Sequence, residues 1–440
     1  MATSSNIHLS PSQKPEFYVK GIGSETADTA SELLQENHEK HHVFFNQSGF
    51  HNHIVHHLLT LYALNATPTE LRTGYHDNAS YQRPPVKLEQ KVVDDMHDLE
   101  RFKTYLGSEK YYHDFLVFFK QEIDAKGWEA VLNEYVFKGD ERADDMLCRM
   151  YAGFFHPIIH LGFGVEFLQP AIIAEALAQA CVHDAWVTPF LLESEAAASQ
   201  TNGPPKTMTE LLDEIHADKK LSSAAHWEDG NKIRDGILKR AKEEMIKYAS
   251  QYKVSESELD EKTAEMINTT VYFTSTSQRP PHIPKFDFYY MHSVNASIFF
   301  SSFLAQPWLS TANKIRLLEW KVRLDLAMYA SRGSPEPFLD AVSNYKSEKD
   351  SSWDELFQRV KAYSDDGHAC KLIRALAHGE KVCAQYEEKE EFRVKGGLWK
   401  ILGNMAMDSV EAGEPTWVRN TGFDEAWKNV PVKTEGTARL

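Results

Sequence analysis

Four histidines fall within seven residues of the stretch Phe50-His51-Asn52-His53-Ile54-Val55-His56-His57-Leu58-Leu59. Phe50, Ile54, Leu58 and Leu61 recur at the spacing of one helix face. The pattern predicts a helix over residues 50–65, with His53 and His57 one turn apart near its inward side. A buried imidazole needs a partner for each ring nitrogen. A metal ion supplies one, so a chain that gathers inward histidines is constrained to build a polar, ligand-bearing core there.

The rest of the chain reads as helix. Aromatic residues at helical intervals run through 91–136, an Ala-rich segment spans 170–192, and 286–305 is apolar on all sides, as a buried helix must be. Further helices are expected over 31–43 (capped by Ser31), from Pro68 (capped by Thr67), over 233–253, 256–275 and 311–330, and over 398–409. Tyr75–Asn78 and 194–206 read as loops, and period-2 strands are scarce. The expected fold is all-α, a large multi-helix assembly with few or no strands. Residues 1–30 are expected to be an extended polar N-terminus. Residues 31–430 form one large helical domain, or two packed halves meeting near 194–206 or 279–284.

Composition excludes several classes of function. A net charge of −16 over 440 residues leaves no basic excess to displace counterions from nucleic acid. The four cysteines, Cys148, Cys181, Cys370 and Cys383, form no CxxC pair, which favours reduced thiols and a cytoplasmic setting. No run is long and apolar enough for a membrane span. Ala438-Arg439-Leu440 at the C-terminus matches a small-basic-Leu variant of the peroxisomal address. No GxGxxG follows a strand and no GxxxxGK[ST] or GxSxG occurs. A tightly bound flavin is therefore not expected, and a nicotinamide would have to act without a Rossmann site.

Other segments carry the same chemistry as the first. His156 and His160 sit one turn apart on an apolar helix, and His292 lies inside the apolar segment 286–305. His368 and Lys371 share a helix face just after Asp366, the expected N-cap. A lysine on an inward face has a lowered pKa, and a neutral amine can add carbon dioxide to give a carbamate, an oxygen-donor ligand. Two other motifs point elsewhere. His38-Glu39-Lys40-His41-His42 matches HExxH only formally, because its intervening residues do not belong to a buried helix. Glu39…His42 has no second copy to build a di-metal bundle.

The blocks Asn52-His53, His156 with its Gly-containing helix, His292-x-Val294-Asn295 and Asp366-x-His368-x-x-Lys371 resemble, in this order, those of the questin oxidase-like family. The resemblance runs from about residue 30 to 410. It implies an NADPH- and O2-dependent oxidoreductase that opens an anthraquinone-like aromatic polyketide, by Baeyer–Villiger insertion or direct carbon–carbon cleavage, in secondary-metabolite biosynthesis. It also implies a non-haem Fe(2+) held by His53, His156, His292, His368 and Lys371 as its carbamate. His57, His160, Tyr290 and Asn295 then become outer or substrate contacts. Phe154, Phe155, Tyr289 and Phe299, neighbours of these ligands in sequence, are candidates to line a substrate pocket. The residues alone do not choose iron over zinc, copper or nickel. They leave open a metal-dependent hydrolase and a metal-free binding protein for a polyketide intermediate.

Overall fold

A computed structural model describes residues 1–201 and 203–433 of the chain. Among the described residues there are twenty-two α-helices and only isolated β-bridges, such as that between Phe44 and His51. The architecture is all-α. All four cysteines are buried thiols. No helix among the described residues is long and apolar enough to cross a membrane. The Ala438-Arg439-Leu440 terminus lies outside the described residues.

The chain divides into two compact units. The first comprises Met1–Thr188, Phe299–Asn313 and Lys361–Arg374, and the second Pro189–Ile298, Lys314–Val360 and the chain from Ala375 onward. At the centre of the first unit lies the helix Pro170–Val182, packed on Tyr112–Lys126 and Ala152–Glu166. Twelve of its residues are buried, which is why small alanines dominate it: they let neighbouring helices approach on every side. Helix Ile54–Ala63 is buried along its whole length. Gly162 makes a close approach possible, because a Cβ there would stand 2.2 Å from Cγ of Phe299. In a helix, Gly→Ala ordinarily stabilises. Gly162→Ala is instead expected to cost about 2–4 kcal/mol through overpacking, read as a lower denaturant midpoint.

In the second unit, Leu259–Thr276 is buried from Lys262 to its end, which makes it a core helix. Some of its polar side chains are tied to backbone carbonyls: Asn268 Nδ2 donates to Val394 O at 2.8 Å and Thr274 Oγ1 to Tyr290 O at 3.2 Å. Lys285 Nζ donates to Ser409 O (2.5 Å) and Gly413 O (2.8 Å), and burial lowers its pKa to about 8.

Several expected boundaries differ from those observed. The first helix is Ser24–Lys40, and Ser31 lies inside it, its hydroxyl donating to Ala27 O at 2.7 Å instead of capping. The His-rich helix starts only at Ile54, and Phe50 is left exposed. Asn52 stops it from starting earlier, because its side chain accepts from Ile54 N at 2.9 Å in the manner of a cap. Tyr75–Asn78 is helical, within Pro68–Ala79, where Asn78 Nδ2 donates to Gly74 O at 2.9 Å. The expected loop at 194–206 begins later, since Thr188–Gln200 is a helix. The segment 233–253 is broken at Ala241 into short pieces. Thr67 does form the predicted cap, a capping box with Glu70 and Pro68 in the first turn.

Candidate metal centre

His53 sits at the N-terminus of helix Ile54–Ala63, and Asn52 holds the chain there through Asn37 Oδ1 at 2.8 Å. His156 follows a sharp turn. Gly153, Phe154 and Phe155 have φ of 53°, 57° and 69°, a run of left-handed residues inside Ala152–Glu166. Left-handed backbone costs roughly 1–2 kcal/mol for each non-glycine residue, and such strain is kept where it positions functional groups. Right-handed helix resumes at His156, so Pro157 falls in a first turn, where its missing N–H is no loss. A Cβ on Gly153 would lie 2.6 Å from Cε1 of His183 and 3.0 Å from Cε1 of His51.

His368 opens the helix His368–Cys383. The cap differs from the one expected. Asp365, not Asp366, accepts from Gly367 N (2.7 Å) and Ala369 N (2.8 Å). Asp366 instead accepts from His368 Nδ1 and lies 3.2 Å from His53 Nδ1. Burial alone would raise both carboxyls. It does so for Asp365, helped by the charge of Asp366, while His368 and His53 hold Asp366 well below the usual range.

One ring nitrogen from each of His53, His156, His292 and His368 lies within 4.8 Å of the others, and all four residues are buried. The four histidines thus form one group that could hold a metal ion. Their inner nitrogens are anchored on oxygens. His156 Nδ1 donates to Gly153 O at 2.5 Å, His292 Nδ1 to Phe288 O at 2.6 Å, and His368 and His53 face Asp366. Anchoring Nδ1–H in this way leaves each Nε2 without a proton, the tautomer that binds metals. Burial, reinforced by Lys371, pushes the pKa of His53 down to about 3 and keeps it neutral.

These donors fit a metal ion. His53 Nε2 and His156 Nε2 are 2.8 Å apart. Two bare lone pairs at that distance repel, whereas two nitrogens each about 2.1 Å from one first-row ion and at right angles come about 3 Å apart. Lys371 supports the same reading. It is 4% exposed, and its Nζ has no hydrogen-bond partner among the described residues. Burial lowers its pKa, so the amine is driven toward its neutral, nucleophilic form.

The other expected residues take varied places. His160 Nε2 donates to Glu175 Oε2 at 2.7 Å. His57 lies against Gly367, with Asn78 Nδ2 3.5 Å from its Nδ1. Tyr290 OH donates to Tyr329 O at 3.0 Å, and Asn295 Nδ2 lies 2.8 Å from Met291 Sδ. Phe299 packs on Phe163. Spacing did not single out His56, whose ring stands 5.8 Å from that of His53, or His51, stacked at 3.8 Å on His156. Nor did it find Asp366 as a histidine partner, or Glu175. His38 of the HExxH match bonds Glu175 at 2.5 Å, while His42 lies beyond the helix end, so that motif does not assemble.

The family model for questin oxidase-like proteins matches residues 50–376. The chain belongs to the questin oxidase-like family. It is 43% identical over 437 residues to the Baeyer-Villiger monooxygenase dmxR6 of a Cryptosporiopsis species, covering 96% of this chain and 98% of that protein. It is 42% identical to the Baeyer-Villiger oxidase mdpL of Emericella nidulans, covering 99% of this chain and all of the relative. To a questin oxidase of Aspergillus terreus it is 38% identical, covering 98% of both chains. The matched segment contains every residue of the histidine centre, and membership in the questin oxidase-like family makes the chain an oxidoreductase.

Proposed function

We propose that this questin oxidase-like protein is an NADPH- and O2-dependent, non-haem-iron oxygenase that opens a ring of an anthraquinone-like aromatic polyketide. The buried four-histidine cluster, on a chain whose relatives are Baeyer–Villiger and questin oxidases, carries this reading. His53, His156, His292 and His368 would hold Fe(2+), with Lys371 as its carbamate supplying an oxygen donor. Bound iron supplies the one-electron chemistry that lets dioxygen react with a closed-shell substrate.

In the Baeyer–Villiger case one oxygen atom enters between a ring carbonyl carbon and its neighbour. The other leaves as water with two electrons from NADPH and a proton. The chain's own groups prepare the site for this. Asp366 fixes the His53 and His368 rings, the Gly153–Phe155 turn fixes His156, and burial excludes water that would divert the reaction. NADPH would act without a dedicated dinucleotide fold, on substrate or in a shallow site.

The test is oxygen uptake by purified protein given questin and NADPH, alongside metal analysis by mass spectrometry. Stoichiometric iron with oxygen consumption is expected. Product without oxygen uptake would overturn the reading in favour of hydrolysis. Lys371→Ala is expected to weaken metal binding about 10–100-fold, with partial recovery on adding formate or acetate, measured by metal titration.

A further inference from the structure

Phe50, which helical spacing would place on an inward face, is 49% exposed, and Tyr81 is 43% exposed. Both rings meet a third. The Phe45 ring packs against Tyr81, edge to face with centroids 5.1 Å apart, and against Phe50 at 6.0 Å. A tight turn holds them there. Phe45 N donates to Phe50 O at 2.8 Å, and Asn46 Oδ1 accepts from Ser48 N (3.0 Å) and Phe50 N (3.1 Å). Gly49, with φ +75°, closes the turn, and the bridge between Phe44 and His51 forms its base.

Two connections join this patch to the histidine centre, both inside the first unit. The first is the turn itself. His51, next to Phe50, stacks at 3.8 Å on His156, and His53 follows two residues later. The second runs through Tyr81. Its hydroxyl donates to Asn78 Oδ1, and Asn78 Nδ2 donates to Asp365 O at 3.1 Å. Burial, and then the nearby carboxylates of Asp366 and Asp365, push the Tyr81 phenol upward. The four histidines and Lys371 are at most 7% exposed, whereas the Asp366 side chain is 34% exposed. Asp366, shared by His53 and His368, is thus the most open part of the centre, and Tyr81 stands beside it.

A single exposed ring is ordinary, but clustered rings mark a binding surface. Burying an aromatic side chain removes about 150–250 Å² from water, so the open parts of Phe50 and Tyr81 amount to roughly 200 Å². A stable protein interface needs about 800 Å² from each partner. The patch is too small for that and suits one face of a few fused rings. We infer that Phe45, Phe50 and Tyr81 form a docking platform for a planar, fused-ring aromatic substrate at the mouth of the histidine centre. The inference rests on the function proposed above and adds the residues that position its substrate. The rings offer their faces and edges to the substrate's π-system, strip water from one side of it and aim its rim toward Asp366 and the histidines. They take no part in breaking bonds.

Equilibrium dialysis of questin against purified protein, kept without NADPH and oxygen, measures docking apart from chemistry. Phe50→Ala is expected to weaken binding about 5–10-fold, and Tyr81→Leu by a similar factor. Phe50→Trp should recover the affinity, because it restores a planar face. In turnover, the loss in Phe50→Ala should fall on KM more than on kcat, as for a contact made alike in ground and transition states. Should Tyr81→Leu fail to fold without its bond to Asn78, the two Phe50 variants decide. Parental questin affinity in folded Phe50→Ala would overturn the platform and leave the oxygenase reading intact. A change of oligomeric state in Phe50→Ala at unchanged questin affinity would also overturn it, and assign the patch to a second copy of this chain. Ring-dependent questin binding by parent protein that takes up no oxygen would support the platform and overturn the oxygenase reading. Parent protein that neither binds questin nor takes up oxygen with it would overturn both.

Discussion

His156→Ala is expected to abolish oxygen-dependent turnover and to weaken metal binding about a thousandfold, more than the 10–100-fold usual for an outer-sphere partner. The stability signature is more specific than the loss of activity. In the metal-free parent, His53 Nε2 and His156 Nε2 face each other at 2.8 Å with both inner nitrogens engaged by oxygens. Removing one imidazole relieves that repulsion, and it also opens a cavity beside His51, stacked 3.8 Å from His156. These effects oppose one another, so the metal-free variant should unfold within about 1 kcal/mol of the metal-free parent. Added Fe(2+) should then raise the melting temperature of the parent, since a ligand bound only by the native state stabilises it, and leave the variant unmoved. Thermal scans with and without metal, together with metal analysis, check both halves.

Gly367→Val is expected to have the second-largest effect, on stability and site together. Gly367 has φ +91°, and a Cβ there would lie 2.7 Å from Cβ and 3.0 Å from Cα of His57. The backbone of His57 belongs to a fully buried helix, so it cannot yield as a flexible side-chain tip could. Strain and collision together should cost about 3–5 kcal/mol. Gly367 also sets the start of the helix carrying His368 and Lys371, and it lies next to Asp366. The variant that folds should therefore bind less metal than the parent. Denaturant midpoints and metal stoichiometry of the same preparations measure the two effects. Gly367→Ala should show the same pair of losses, smaller in size.

Much of the centre is legible as local pattern. The pair His156/His160, one turn apart on an apolar helix, predicts two inward imidazoles, and both are buried. His368 and Lys371 share a face by their three-residue spacing, and both are buried as that spacing implies. The helical class follows from periodicity, and Thr67-Pro68 is readable because a capping box needs only neighbours in sequence. Four blocks in order are enough to indicate the family.

Other features depend on residues distant in sequence. Asn52 bonds Asn37, and the helix after it starts four residues later than Phe50 would have it. His56, not His57, meets His160, at 3.1 Å. Glu175 sits in an Ala-rich helix with no polar neighbour in sequence to mark it, and it acquires meaning only from His160 on the preceding helix and from His38, 137 residues away. The left-handed Gly153–Phe155 turn has His183 and His51 packed against Gly153, and composition does not predict it.

The amino-acid sequence by itself determined that the chain is helical, which helix faces carry imidazoles and the inward lysine, and the family, because these depend on spacing within single segments. Only the tertiary structure decided which nitrogens meet and which carboxylate serves each histidine. Those outcomes depend on tenths of an ångström between separate segments, some more than a hundred residues apart, and helical periodicity sets a side chain's direction only to within a wide sector.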